Sequence, residues 1–501
     1  MMEPMSMFPG INPQSSPPPQ PPGPGGPPPD PGSRRGATVA WVLIALLMST
    51  LVISNQVFGP EAPKPPVREA GQVLPPESGD PFTLSTKLTV ALKEAMGMTQ
   101  REAEEGMRSL ESAARTAGGT ATEQVRLAIA AAELVGPEAG VERLGRIAAP
   151  TGGVLEQDIA ALRRAYENEG RVTDAAELQG LVERHGWFGR LAGTHGLAKS
   201  DPAREAIFAF LPRLIAAGLL VALVLTVAVV GGIAASITMM VRLSAGKVRP
   251  AFVPPSPGGS VYLETFPFFV LGYLCLHFGF DLYVTLKGSV GPGVPVVQLA
   301  MQWVLVLFPL YAVVFRGVPF QQWRKDVGLH RGAGFWREVW SGVWGYFAGL
   351  PLLAVAIGIT FGVILLKGVF ERLLNPHGEP EMPYNPIAEL INSGSPGVLV
   401  MLFVLATVWA PLVEETVMRG CLFRHLRSRL PLMVAAVVSA LFFGFMHGYN
   451  VLLLLPVITI GFTFALMREW RGSLIAPITA HFMHNATALT VVLTLLSALK
   501  E

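Results

Sequence analysis

Charged residues are scarce in this chain of 501 residues: Asp, Glu, Lys and Arg make up 15% of it, whereas hydrophobic residues make up 51%. A soluble globular protein has about 25% charged residues, so this composition indicates a polytopic membrane protein. The formal net charge is only +2. The composition therefore lacks the basic excess that would suggest nucleic-acid binding.

Cysteine is almost absent from the chain. The two cysteines, Cys275 and Cys421, lie in or beside apolar segments and lack the spacing of metal-binding cysteines. We therefore expect buried, unreactive thiols, and we expect neither a disulfide nor a cysteine-based site.

The N-terminal region lacks the apolar residues that a fold requires. Pro, Gly and Ser dominate residues 1–36, which are predicted to form a disordered tail. Residues 37–58 then supply about 20 apolar residues, enough to cross a hydrocarbon core about 30 Å thick. A cleaved signal peptide is the alternative, but the long preceding tail and the lack of a clear cleavage site favour a transmembrane anchor. A Pro-rich linker follows over 59–83.

Residues 84–200 differ from both flanking regions. Their segments are amphipathic at helical spacing and are separated by glycine. This pattern predicts a soluble all-helical module, without a repeat period strong enough to assign a repeat family. Two of its histidines, His185 and His195, lack a metal-ligand pattern, so surface or structural roles are expected for them.

Apolar segments recur from residue 206 to the end of the chain. A second span with its loop is expected over 206–250 and a membrane core over 260–501. Together with the anchor, these segments predict an all-α bundle of about nine transmembrane spans. The apolar segments after the module lie near 211–239, 265–286, 296–315, 342–368, 396–422, 432–448, 450–467 and 474–498.

Basic residues cluster between alternate spans, which predicts the orientation of the chain. All five clusters fall on one side of a nine-span arrangement, and the positive-inside rule makes that side the cytoplasm. The N-terminal tail is therefore predicted to be cytoplasmic and the 84–200 module extracytoplasmic, in a cell inner (plasma) membrane. The clusters are Arg34/Arg35, Arg242/Lys247/Arg249, Arg316/Arg324/Lys325/Arg331/Arg337, Arg424/Arg427/Arg429 and Arg468/Arg471.

Two adjacent carboxylates, Glu414 and Glu415, follow an apolar run at a point where the helix should still lie in hydrocarbon. A charged side chain at the bilayer centre costs at least about 2.5–3.5 kcal/mol, so such residues usually face a bundle interior and have a function. If the span ended at Val413, however, the pair would simply lie at the water interface. Both interpretations fit this segment when it is considered by itself.

The spacing of other polar residues favours the functional interpretation. If the segment RSRLPL forms a turn between two helices, Glu414 and His447 each lie about 24 Å along a helix from that turn. His481 lies roughly 15 Å from the same side of the membrane on the last span. Asn485 follows His481 by four residues and shares its helical face. Three helices are therefore predicted to bring polar groups to one depth.

These residue types suit hydrolysis by either of two routes. A carboxylate and an imidazole can bind and deprotonate a water, and an imidazole or amide can donate a hydrogen bond to an oxyanion. The candidate metal ligands are Glu414, His447 and His481, because zinc accepts such ligands and lowers the pKa of its water to about 7. The residues do not distinguish a zinc route from metal-free activation of water by glutamate.

Three motifs give the chain a family resemblance. EETVMR, FGFMH and HFMHN resemble the EExxxR, FxxxH and HxxxN motifs of the CPBP intramembrane proteases, which include the CAAX prenyl endopeptidases and bacteriocin-immunity-related proteins. The resemblance covers roughly 300–500. It implies that Glu414 activates water, that His447 orients the water or binds metal, and that His481 and Asn485 stabilise the oxyanion. The supporting motif residues are Glu415, Arg419 and Phe443.

The resemblance implies an intramembrane endopeptidase of the CAAX type, expected to be a metalloprotease, that cleaves a membrane-associated protein or peptide. Glu415 and Arg419, four residues apart on a helix, are expected to form an ion pair inside the membrane. One alternative is a non-catalytic membrane scaffold or bacteriocin-immunity-type binding protein that uses the same fold. A transporter is a weaker alternative, because the sequence lacks visible inverted repeats or paired broken helices. The partner of the 84–200 module is not indicated.

Overall fold

The computed structural model describes residues 27–57, 81–116, 119–148, 153–287, 294–374, 391 and 395–499. Most of the predicted tail and most of the predicted linker lie outside these residues. Every regular element within them is a helix, which confirms the all-α prediction.

The first helix, α1 (Arg34–Val57), coincides with the predicted anchor. Eight shorter helices follow and form the helical module: α2 (Pro81–Met96), α3 (Gln100–Thr116), α4 (Ala121–Leu134), α5 (Pro137–Leu144), α6 (Val154–Asn168), α7 (Ala175–His185), α8 (Trp187–Ala192) and α9 (Pro202–Ile207). Side-chain caps set some of their starts. Thr120 and Glu123 form a reciprocal capping box at α4, and Asp174 accepts hydrogen bonds from two backbone amides at α7.

The remaining helices form the membrane core: α10 (Leu211–Ser244), α11 (Val261–Lys287), α12 (Val294–Gln302), α13 (Tyr311–Val314), α14 (Phe320–Val327), α15 (Phe335–Leu374), α16 (Pro396–Arg427), α17 (Leu432–Phe445), α18 (Leu454–Arg471) and α19 (Ile475–Leu499). A 3₁₀ segment, Trp303–Leu310, connects α12 to α13, and together they provide one candidate span.

Eight of the described helices are long and apolar enough to cross a membrane. The seventh predicted span, 432–448, corresponds to α17, which has 14 residues and reaches only about 21 Å, less than the hydrocarbon thickness of about 30 Å. The helix ends just before His447, and the chain turns at Gly448, where φ is 67°. Glycine adopts this left-handed conformation without strain. His447 therefore lies in a turn beyond a helix too short to cross the core.

Large apolar side chains are exposed along the spans, for example Leu219, Val227 and Leu365. Such a surface is stable against lipid and would aggregate in water, so the chain is a multi-pass membrane protein. Cys421 is buried as expected, but the expectation was wrong for Cys275, which is exposed. The reason is that α11 presents part of its apolar surface outward, with Leu271 and Phe278 also exposed.

Ion pairs connect the basic clusters at one end of the bundle. Arg424 pairs with both Asp30, in the segment before α1, and Asp326, in α14, at 2.7 and 3.3 Å. Other helices are joined there by the pairs Arg427–Glu469 and Arg471–Glu338, both at these helix ends. The segment before α1 and the adjoining ends of α14, α15, α16 and α18 therefore lie together.

The helical module packs against the opposite end of α19. Leu499, at the last turn of α19, is buried in the hydrophobic core of the module, as are Phe208 and Phe210. The Nζ atom of Lys87 donates a hydrogen bond to the Leu499 carbonyl at 3.4 Å. A lysine at this position also interacts favourably with the negative end of the helix dipole. The module and the basic clusters therefore lie at different ends of the bundle.

Candidate active site

The sixth candidate span, α16, has an irregular helical backbone around the two glutamates. Two π-helical segments, Leu405–Trp409 and Thr416–Leu422, flank the short α-helical stretch Ala410–Glu415. Single π turns interrupt α-helices frequently at functional sites. The candidate span continues past Val413 to Arg427, and Glu415 is completely buried in the protein, which favours the functional interpretation over the interfacial one.

Glu415 is held from two sides by ionisable side chains. Its Oε1 atom accepts a hydrogen bond from Nη1 of Arg419 at 2.9 Å, which forms the ion pair expected from the sequence. The same oxygen lies 3.0 Å from Nδ1 of His481 on α19. All three side chains are almost completely buried. A charge in such a position is tolerated because it is paired and hydrogen-bonded.

Two aromatic rings enclose this cluster. The Arg419 guanidinium carbon lies 4.4 Å from the ring centroid of Phe443 and 5.4 Å from that of Phe464. The His481 ring contacts the same two rings, with centroid distances of 5.8 and 5.1 Å. The guanidinium and the two rings attract each other, and the rings exclude other conformations of the Arg419 and His481 side chains. Phe443 of the second motif therefore helps to hold Arg419 and His481.

Gly461 on α18 lets these groups approach the backbone. Its carbonyl accepts a hydrogen bond from Nη2 of Arg419 at 2.8 Å. A Cβ atom at this glycine would lie 2.8 Å from Cδ1 of Phe443 and 3.3 Å from Nη2 of Arg419. Neither Gly461 nor Phe464 is among the residues predicted from the sequence. Their spacing of three residues on an apolar helix resembles ordinary packing, so the sequence carried no signal for them.

His447 lies on the other side of Phe443. Its ring is 4.7 Å from that of Phe443, and its Nδ1 atom lies 2.8 Å from the Phe443 carbonyl oxygen. A carbonyl oxygen can only accept, so Nδ1 carries the hydrogen. In the neutral imidazole, Nε2 is then the acceptor. His447 can therefore accept a hydrogen bond from water or bind a cation through Nε2.

Glu414 is half-buried and less constrained than Glu415. Its Oε2 atom is buried and has no hydrogen-bond partner among the residues that the structure describes. The carboxylate interacts electrostatically with His447, Tyr273 and Tyr449. A buried carboxylate oxygen without a protein donor is suited to accept a hydrogen bond from a water or a substrate.

Asn485 is half-buried on α19, one turn beyond His481. Its Nδ2 atom donates a hydrogen bond to the Ala406 carbonyl at 2.7 Å, within the first π segment of α16. An amide nitrogen has two hydrogens, so this bond fixes the group and leaves one hydrogen for another acceptor. His484, also in the third motif, contacts the ring of Tyr346 on α15 at 6.2 Å.

The structure thus brings Glu415, Arg419, His481, Phe443 and His447 into contact, with Glu414 interacting electrostatically with His447. The three candidate metal ligands fit a metal less well. In the described part of the chain, three His, Cys, Asp or Glu side chains do not converge in an arrangement that could hold a metal ion. Glu415 engages Nδ1 of His481, which leaves Nε2 as the nitrogen of this ring that could bind a metal.

The comparisons with known proteins agree with the motifs. Residues 396–487 match the family described as type II CAAX prenyl endopeptidase Rce1-like. The match covers α16 to α18 and part of α19, including every motif residue, and it confirms the resemblance to the CPBP intramembrane proteases. A search of curated proteins and a search of solved structures found no match to the chain. The segment that carries the candidate site is therefore similar to CAAX-type membrane proteases.

Proposed function

We propose that this protein is an intramembrane endopeptidase that hydrolyses peptide bonds of a membrane-associated protein or peptide. The observation that carries the proposal is the convergence of a paired carboxylate, an additional carboxylate and two imidazoles around Phe443. They belong to a multi-pass bundle and to the segment that matches the CAAX endopeptidase family. Hydrolysis inside a membrane requires such a group of polar residues, because bulk water is absent there.

In the proposed mechanism, Glu414 is the general base. Its unpartnered Oε2 accepts a proton from a water, and Nε2 of His447 accepts the second hydrogen bond of that water. The hydroxide attacks the carbonyl carbon, and Glu414 then passes the proton to the leaving amine nitrogen as the C–N bond breaks. Support for this role comes from the electrostatic interaction between Glu414 and His447.

The oxyanion of the tetrahedral intermediate would be stabilised from α19. Asn485 supplies its remaining amide hydrogen, and His481 supplies Nε2, which donates when the imidazole is protonated. Support comes from the fixed orientation of both side chains, because Ala406 holds Asn485 and Glu415 holds His481. Fixed donors stabilise a developing charge without reorganising during the reaction.

We propose the metal-free route, because the described side chains offer hydrogen bonds for the water but not three converging ligands. A zinc-dependent route through Glu414, His447 and His481 remains the competing proposal. Metal analysis of the purified protein separates the two. The metal-free route requires full activity at less than about 0.1 zinc per chain, and stoichiometric zinc that is lost in His447→Ala would support the competing route.

We further propose a plasma-membrane location with the N-terminal tail in the cytoplasm and the helical module outside. The positive-inside rule motivates this orientation. It is supported by the ion pairs that join basic clusters from several helices at one end, while the module packs at the other end of α19. Cysteine accessibility labelling tests it: a reporter cysteine at Ser112 should react with an impermeant reagent from outside intact cells, and one at Ser341 should not.

The experiment that tests the enzyme uses purified protein in lipid nanodiscs and a library of membrane peptides, including prenylated C-terminal peptides. Wild type should cleave a subset, and Glu414→Ala should reduce the rate by about 10²- to 10⁴-fold. Glu469→Ala is the matched control, because Glu469 pairs with Arg427 at the bundle end. Equal cleavage by Glu414→Ala and wild type would remove the assignment.

A second candidate function is a non-catalytic binding protein that uses the helical module for recognition. The contact of the module with α19 favours it, because binding to the module would then reach the membrane core. This function predicts that deleting the module abolishes the cellular phenotype while Glu414→Ala leaves it intact.

A further inference from the structure

Glu415 and His481 form a short contact. The hydrogen-bonding capacity of Glu415 determines which nitrogen of His481 carries hydrogen. Nδ1 of His481 lies 3.0 Å from Oε1 of Glu415, and that oxygen also accepts from Arg419 at 2.9 Å. Nη1 of Arg419 can only donate, so Oε1 of Glu415 is a hydrogen-bond acceptor in this cluster. Nδ1 of His481 must therefore carry its hydrogen whether the ring is neutral or protonated.

Arg419 fixes the position of this carboxylate. Its Nη1 atom binds Glu415 and its Nη2 atom binds the Gly461 carbonyl, so one guanidinium joins α16 to α18. Phe443 and Phe464 cover the guanidinium and also contact the His481 ring. Glu415 consequently cannot move away from His481 without breaking contacts on three helices.

From this geometry we infer that Glu415 and Arg419 form a positioning pair that keeps the hydrogen on Nδ1 of His481 and directs its Nε2 atom toward the substrate, where Nε2 donates a hydrogen bond once the ring gains its second proton. The inference rests on the proposed function for the identity of the substrate, a peptide carbonyl group. It gives the two glutamates different roles, with Glu414 at the water and Glu415 acting through His481. Oε2 is buried without a hydrogen-bond partner among the described residues in both, so the contact of Glu415 with Arg419 and His481 is what distinguishes them.

The free histidine side chain favours the opposite tautomer, with hydrogen on Nε2, so the assignment has a direct spectroscopic signature. Wild-type protein labelled with ¹⁵N-histidine in lipid should give a His481 signal with hydrogen on Nδ1. His481→Gln identifies this signal among the nine histidines. Hydrogen on Nε2 of neutral His481 in wild type would overturn the inference, whether or not the protein cleaves peptides.

Glu415→Gln tests the role of the carboxylate. Both neighbours bind the same oxygen, Oε1. The oxygen of the neutral amide is a weaker acceptor for both of them than the carboxylate is, so the preference of His481 for hydrogen on Nδ1 should fall and the ring should become a mixture of tautomers. The proposal predicts that kcat falls about 10²-fold or more while KM changes less than about twofold. Glu469→Gln, in a buried Glu–Arg pair without a histidine, should change neither the tautomer nor kcat. An unchanged His481 signal in Glu415→Gln would contradict the proposal.

Removing Glu415 leaves Arg419 buried without its partner, which could unfold the protein. The double variant Glu415→Gln/Arg419→Met removes that charge and retains the volume of the arginine stem. It should fold, lose the Nδ1–H preference and have the same low kcat as Glu415→Gln. If the double variant regained wild-type kcat, the pair would have no positioning role. Should wild type cleave no peptide at all, the proposed function would fail while the tautomer measurement still decided this inference.

Discussion

The clusters around Asp158 and Glu415 can be compared directly, because in each an arginine and a histidine share one carboxylate, and of these two only the cluster around Glu415 resembles an active site. In the helical module, Asp158 binds Nε of Arg184 at 2.8 Å and lies 3.1 Å from Nε2 of His185. In the membrane core, Glu415 has equivalent contacts with Arg419 and His481 at 2.9 and 3.0 Å. The residue types and distances are nearly the same.

The difference lies in the surroundings of the second imidazole nitrogen. Nδ1 of His185 is buried and has no hydrogen-bond partner within the described residues. His481 instead interacts electrostatically with His447, which in turn interacts with Glu414. A carboxylate–histidine pair is therefore a structural element unless its free nitrogen opens onto other reactive groups.

The first prediction compares the two histidines in catalysis. His481→Gln should lower the cleavage rate by about 10²- to 10⁴-fold, because it removes a group that contacts the reacting carbonyl. His185→Gln should leave the rate within about twofold, because its ring lies in the core of the module. Both variants are measured by peptide cleavage in nanodiscs. Equal losses of cleavage rate in the two variants would mean that both clusters are needed for catalysis.

The second prediction compares the two arginines in stability. Arg419→Met should reduce the free energy of unfolding by about 3–5 kcal/mol, because Glu415 would remain buried without its cation. Arg184→Met should cost about 1 kcal/mol, since Arg184 is 26% exposed and solvent screens its pair with Asp158. Denaturant titration of both full-length variants measures this difference. A larger loss for Arg184→Met would show that the module, rather than the membrane core, depends on its ion pair.

The third prediction concerns the stability of the helical module in acid, where we expect the smallest of the three effects. Burial lowers the pKa of His185 below its ordinary value of 6.5, despite the opposing influence of Asp158. Below about pH 6.5 the unfolded chain therefore binds a proton at His185 that the folded module does not bind. The free energy of unfolding of the module falls as the pH decreases below that value. The loss by pH 5 is at most about 2 kcal/mol.

Asp158 does not contribute in that range. Burial opposes its ionisation, but hydrogen bonds from His185 and Arg184 together lower its pKa below 3.8, so its contribution is lost only in stronger acid. Hydrogen exchange of α6 and α7 in the full-length protein at pH 7 and pH 5 measures the effect. In His185→Gln the pH dependence should disappear, and if it persists, another group is responsible.

The spans and the motif residues could be predicted from sequence because each depends on local composition. The ion pair between Glu415 and Arg419 was also predictable, since helical spacing sets it. The choice of Glu415 as the partner of His481 was not, because the two glutamates are adjacent and the π segments around them alter which one faces α19. Phe464 and Gly461 were missed for a similar reason, as their contacts depend on how α18 packs against α16.

The sequence by itself determined that this chain is a helical membrane protein, because hydrophobic length sets that property, and residue spacing predicted acids, imidazoles and an amide at one depth. The tertiary structure decided which carboxylate is held and which is free, and which imidazole nitrogen remains available. Those properties depend on distances of about 3 Å between side chains on different helices. Such distances follow from packing, which the order of residues along one helix does not specify.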